Sequence, residues 1–150
     1  LATGARQGEL LNLTWKDVDF QRGMLTFQQT KNGERRSVPL TGHALETLKA
    51  YHRKKDKLSQ LVFPSRDNTP MRIDRPFHEI LAETGLEDFR FHDLRHSAAS
   101  YLAMNNATSS EIAAVLGHKT LQMVKRYAHI SQAHTATVVA NMNKKIFDEN

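Results

Sequence analysis

The sequence predicts an α+β fold that is mainly α-helical, with a small three-stranded antiparallel sheet near the N-terminus. Three observations point there. After residue 41, apolar residues recur at three- and four-residue spacing in most segments, the mark of one-sided helices. Before that, two runs rich in strand formers flank Asn32-Gly33, a dipeptide suited to hairpin turns that need positive φ. No internal repeat or low-complexity tract interrupts the 150 residues, which is one domain's worth of chain. That length can bury a core without disulfide or metal staples.

Leu1-Ala2-Thr3-Gly4 reads as the end of a helix closed by glycine. Glu9 to Leu13 suggests a short helix after Gly4, with Arg6 at its start, where backbone N–H groups point outward and an anion can sit. An ordinary surface arginine would look the same. Glu9, three residues on, can pair with Arg6 or orient it. Trp15 to Phe20 leads into the first strand, Gln21-Arg22-Gly23 turns the chain, and Met24 to Gln29 is the second strand. Arg35 to Leu40 returns as the third, with Pro39 marking an edge or an end. Lys31 projects from the hairpin turn beside Arg35 and Arg36. Such a turn is either a solvated basic hairpin or a loop that reaches into a groove of nucleic acid.

Thr41-Gly42-His43-Ala44 opens a helix to about Lys54, with Ala44, Leu45, Leu48 and Tyr51 as its apolar face. The basic run His52 to Lys57 falls at its C-terminus, where the helix dipole favours cations in any case. Leu61 to Pro64 is a short apolar segment, and Ser65 to Asp74 is the longest loop. Pro76 to Thr84 reads as a helix with Phe77, Ile80 and Leu81 inward and Gly85 closing it. His92 to about Met104 is the next helix. His92 and Arg95 share one face of it, and Leu94, Ala98 and Leu102 form the row toward the core, with Tyr101 nearby. His96 is expected at the surface beside that face. Asn105-Asn106 ends the helix, asparagine being tolerant of the left-handed conformation. Ser109 or Ser110 caps a short helix from Glu111 to Leu116, and Gly117 closes it. His118 stands at the junction. Thr120 is expected to cap a following helix that carries Val124 and Tyr127. A last helix spans 131–147, with Val138, Met142 and Ile146 at four-residue spacing and Val139 alongside.

Cysteine is absent, which excludes a disulfide framework and cysteine-based zinc sites and fits a reducing compartment. With no signal peptide at its start and no apolar run of membrane-span length, the chain is expected to be cytoplasmic and to have no membrane partner. A net charge of +5 and a pI near 9.6 suggest a polyanionic partner, most often nucleic acid. The chain opens without an initiator Met, so it is expected to be cut from a longer protein.

Six residues, in chain order, could carry chemistry on such a partner: Arg6, Lys31, His92, Arg95, His118 and Tyr127. A phosphodiester repels nucleophiles through its anionic oxygens. Its cleavage needs cationic donors at those oxygens, an activated nucleophile and an acid for the leaving oxygen. Arginine forks suit the first task because they bind phosphate oxygens bidentately and stay charged. A tyrosine can attack phosphorus, but with a phenol pKa of about 10 it needs a base or a strongly positive site. His92 and His118 are the available imidazoles.

The set resembles that of the tyrosine recombinases, also called the phage integrase family, over about Ala2 to His129. The motifs are Thr3-Gly4-Ala5-Arg6, His92-Asp93-Leu94-Arg95, and Leu116-Gly117-His118 followed by Arg126-Tyr127, whose tyrosine is nine residues past that histidine. Asn105-Asn106 departs from the glycine usual in the family near there. The resemblance implies that Arg6 and Arg95 clamp the scissile phosphate and that Lys31 protonates the departing 5′ oxygen. It gives His92 acid–base work, matches His118 to a later His or Trp position, and makes Tyr127 the nucleophile. The product would be a 3′-phosphotyrosyl strand and a free 5′ hydroxyl that attacks another strand. Glu9 would support Arg6, and Arg35 and Arg36 are DNA-binding candidates. No cofactor, ATP or metal is implied. The partner would be double-stranded DNA, on which copies associate as a tetrameric synapse through the helix 131–147. The protein would be bacterial or phage-encoded, nucleoid-associated, and would carry an N-terminal DNA-clamping domain absent from these residues. Two rivals remain at this level. One is a helix-turn-helix reader around Ser109 to Tyr127. The other is a histidine metal site that uses His92 and His96, four residues apart.

Overall fold

The computed structural model describes residues 1–28, 35–54 and 59–147, with residues 129–137, 145 and 147 described by their backbone alone. The chain divides into two compact units, Leu1–His96 and Ser97–Asn150.

The first unit begins with a turn. Leu1-Ala2-Thr3-Gly4 is closed by a bond from the Gly4 N–H to the Leu1 carbonyl (3.1 Å), with Gly4 at φ +57. Helix α1 (Gln7–Leu11) follows, with Arg6 as its N-cap. A 3-10 turn (Trp15–Asp17) then leads into β1 (Val18–Asp19), and β2 (Met24–Phe27) and β3 (Arg36–Pro39) complete an antiparallel sheet in the order β1-β2-β3. The expected turn at Gln21-Arg22-Gly23 is present. Asp19 Oδ1 accepts the N–H groups of Gln21 and Arg22, and Gly23 lies at φ +61, where an added Cβ would meet the Leu40 carbonyl at 3.0 Å. The β2–β3 register pairs Met24 with Pro39, Leu25 with Val38, Thr26 with Ser37 and Phe27 with Arg36. Period-two alternation sends Leu25, Phe27 and Val38 into one face. They form a core with Ala5, Leu13, Leu40 and Val62, against which Ala44, Leu45 and Leu48 of α2 (Gly42–Lys54) pack. β3 is an edge strand that ends at Pro39, as a residue without an N–H requires.

Helix α3 (Asp74–Thr84) ends at Gly85 in the left-handed conformation. Its Phe77 packs on Phe91 and Phe89, with ring centroids 5.7 and 6.5 Å away. Phe77 and Leu81 are half-buried, but Ile80, expected inward, is 55% exposed. The aromatic contact holds the Phe77–Leu81 ridge inward and turns Ile80 to solvent.

Helix α4 (Asp93–Met104) contains the boundary between the units. Its fully buried residues are Arg95, Ala98, Ala99 and Ala103, while Leu94 and Leu102 are half-buried and Tyr101 is 59% exposed. The buried face is thus rotated from the expected Leu94-Ala98-Leu102 row. Small alanines permit close packing, and Arg95 has a partner that keeps it inside. Asn106 takes φ +62 just past the helix, as an asparagine can.

In the second unit, Thr108, not Ser109 or Ser110, caps α5 (Ser109–Leu116). Its Oγ1 accepts the Glu111 N–H at 3.2 Å, and the Glu111 carboxylate accepts the Thr108 N–H at 2.7 Å. Gly117 closes the helix at φ +66. The helix expected after Thr120 is instead two 3-10 turns, Leu121–Met123 and Lys125–Ser131, and the Thr120 side chain makes no capping bond. Such tight, short turns do not provide the recognition helix that a helix-turn-helix reader lays in a groove. Helix α6 (Gln132–Phe147) runs close to the expected 131–147. Ala99, Ala103, Ile112, Ala113, Leu116, Val124 and Tyr127 form this unit's core.

Candidate active site

In the first unit, three of the predicted residues, Arg6, His92 and Arg95, come together at the starts of α1 and α4. Arg6 is fixed by Glu9: its Nη1 donates to Oε1 at 2.8 Å, and its backbone N–H donates to Oε2 at 2.9 Å. Glu9 also accepts Arg36 Nη2 at 2.5 Å. The Glu9 side chain is 3% exposed, and burial alone would raise its pKa. The backbone bond from Arg6 and the guanidiniums of Arg36 and Arg6 outweigh that and hold it below the usual carboxylate value.

Arg95 is 3% exposed, and its Nη1 donates to the Gly4 carbonyl at 2.7 Å. Gly4 is two residues before Arg6, so one turn of backbone brings together two arginines that lie far apart in sequence. His92 precedes α4, and its carbonyl accepts the N–H groups of Arg95 (3.0 Å) and His96 (3.3 Å). Its ring meets that of His96 edge-on, with centroids 5.0 Å apart. Partial desolvation, then the His96 imidazole and the guanidiniums of Arg95 and Arg6, push the His92 pKa below its ordinary value. The neutral ring, which can accept a proton, is thereby favoured.

Arg35 is exposed, whereas the Arg36 side chain is 9% exposed, with its guanidinium carbon 4.7 Å from the Phe27 ring centroid. Lys31 lies outside the described residues. In the second unit, His118 is half-buried just after Gly117, and its backbone N–H donates to the Ala113 carbonyl at 2.9 Å. Tyr127 sits in the second 3-10 turn and is 6% exposed, packed in the core of that unit. Tyr51 and Tyr101 are more open, at 37% and 59%.

Sequence reasoning did not single out Asp17, which is buried and accepts Gln28 Nε2 at 2.7 Å together with the Thr14 hydroxyl and N–H. Burial works to raise its pKa, but those hydrogen bonds hold it below the ordinary value. The spacing Thr14-x-x-Asp17 is a capping-box pattern and was a usable signal. The Gly4 carbonyl had none, since a backbone acceptor for a distant arginine leaves no trace in residue type. Among the described residues, no three His, Asp or Glu side chains gather as a metal site, and no helix is long and apolar enough to cross a membrane.

A family model described as the phage integrase family matches residues 1–134. The shufflon-specific DNA recombinase of Escherichia coli is 36% identical over 131 residues, which cover 87% of this chain and 33% of that protein. The integrase of Salmonella phage P22 is 33% identical over 147 residues, covering 89% of this chain and 38% of that one. The chain therefore spans about a third of the length of these curated relatives. Among solved structures, the catalytic domain of bacteriophage HP1 integrase superposes with a TM-score of 0.71 at 28% identity. The match covers 93% of this chain and 75% of that one.

Proposed function

The chain belongs to the phage integrase family, and from that premise we propose that the protein containing it is a site-specific recombinase that cleaves and rejoins double-stranded DNA through a 3′-phosphotyrosine. The observation that carries this reading is the convergence of Arg6 and Arg95 on one turn of backbone, each with a fixed hydrogen-bonding partner. Two oriented guanidiniums at the non-bridging oxygens would stabilise the charge that builds as phosphorus is attacked. Glu9 holds the first of them. Neutral His92 would take or relay a proton. Lys31, from the hairpin, would protonate the 5′ oxygen as it leaves, and His118 would donate to the phosphate. Tyr127 would attack phosphorus, and the ester would store the bond energy until a 5′ hydroxyl displaces it. Exposed Arg35 would contact the DNA backbone. Copies would associate on DNA as a tetramer through the apolar side of α6, and the protein would work in the cytoplasm on the nucleoid.

The test is to select bound duplexes from a random pool and rebuild them with a nick that lets the cleaved end diffuse away. The adduct is then mapped by peptide mass, with EDTA present throughout. Attachment at Tyr127 is expected, and Tyr127→Phe should abolish the adduct while changing DNA affinity little, since backbone charge dominates such binding. Attachment at Tyr51 or Tyr101, or dependence on an added metal, would overturn the proposal.

A further inference from the structure

The pair β2–β3 closes at Phe27 opposite Arg36, and both ends of the segment that joins the strands are tied to buried carboxylates. On the β2 side, Gln28 Nε2 donates to Asp17 at 2.7 Å. On the β3 side, Arg36 Nη2 donates to Glu9 at 2.5 Å while its guanidinium lies over the Phe27 ring. Glu9 is also the carboxylate that holds Arg6. We infer that Arg36 is a positioning residue: by sharing Glu9 with Arg6, it locks the return strand of the hairpin to the cation at the start of α1. The functional consequence rests on the strand-cleavage reading, since Lys31 falls in the sequence between β2 and β3 and Arg6 is the N-cap of α1. Arg36 spends its edge on Glu9 and its face on Phe27 with a side chain 9% exposed, whereas the Arg6 side chain on the same carboxylate is 20% exposed. The job also needs arginine. The planar group offers its face to the ring and its edge to Glu9 at once, which a lysine ammonium cannot do.

If Arg6 and the hairpin are set through Arg36, loosening it should slow chemistry more than binding. A misplacement of about 1 Å can cost roughly a hundredfold in rate. Arg36→Gln and Arg36→Lys are compared with the native chain for adduct rate at saturating DNA and for affinity to a generic 30-base-pair duplex across salt. Both variants should slow the adduct by roughly a hundredfold, with affinity changed less than about threefold. A phosphate contact would behave otherwise. Arg36→Gln would then weaken binding and lower the salt slope by about 0.9, and Arg36→Lys would restore both. That outcome overturns the inference. Should Arg36→Gln melt below the assay temperature, Arg36→Lys alone carries the comparison. If the native protein forms no adduct on any selected duplex, the strand-cleavage reading fails, and Arg36 is judged by NMR. The Arg6 Nε–H resonance should move in both variants, and an unmoved resonance overturns the inference by itself.

Discussion

A carboxylate whose side chain is 3% exposed is costly to ionise unless donors surround it, and Glu9 has three: the Arg6 N–H, Arg6 Nη1 and Arg36 Nη2. Glu9→Gln would leave two guanidiniums against a neutral amide. Breaking a buried pair in this way costs about 3–5 kcal/mol, and partial solvation of Arg6 places the expected loss near the lower end. The acid limb of stability should change with it. Because the folded pKa of Glu9 is depressed, its contribution is complete above the ordinary carboxylate value and is lost as pH falls through the folded value. His92 is depressed too, so its neutral form stabilises the fold above the ordinary imidazole value, and that contribution declines as pH falls toward the folded value. Melting curves from about pH 7 down to about pH 3 should therefore fall in two stages. Glu9→Gln should shrink the lower stage, to which Asp17 also contributes, and leave the His92 stage; an unchanged lower stage would assign it to other carboxylates.

At the scale of elements, caps separate what holds from what merely adjoins. Thr108 and Glu111 exchange reciprocal bonds at the start of α5, whereas Thr120 occupies an N-cap position without a side-chain bond. Thr108→Ala should cost about 1 kcal/mol in denaturant unfolding, and Thr120→Ala much less. Equal costs would show that the reciprocal bonds contribute little. The Thr-x-x-Glu spacing was legible in the sequence, and the expectation of a serine cap passed over it. The antiparallel pairing of β2 with β3 was legible from their strand formers, down to Pro39 as the last residue of an edge strand, while the expected turn at Asn32-Gly33 lies outside the described residues. The 3-10 turns that carry Tyr127 were not, because 3-10 and α turns share nearly the same apolar spacing over so short a run.

At the scale of the whole chain, α6 leaves Val138, Val139, Met142 and Ile146 between 46% and 58% exposed, a stripe at helical spacing that suits a groove on a second copy. Truncation after Ser131 should weaken assembly on DNA, read by sedimentation of the complex, more than it lowers the melting temperature of the free chain. Equal losses would mean that the helix packs on its own protomer. The net charge of +5 acts at this scale as well, since it favours any polyanion and leaves the choice of site to shorter-range contacts.

The sequence by itself determined the fold class and the family, and it proposed the residues that could handle a phosphate. Hydrophobic period, turn dipeptides and the spacing of Arg, His and Tyr are all local properties of the chain. Only the tertiary structure decided where those side chains point. Arg36 reads like Arg35 in sequence, yet it is buried against Glu9 and Phe27 because the strand register puts it opposite that ring. Arg95 faces inward on α4 because the Gly4 carbonyl, distant along the chain, satisfies it there. Periodicity counts apolar residues, so a buried cation is invisible to it: what makes that burial possible is a partner that only the folded backbone brings within reach.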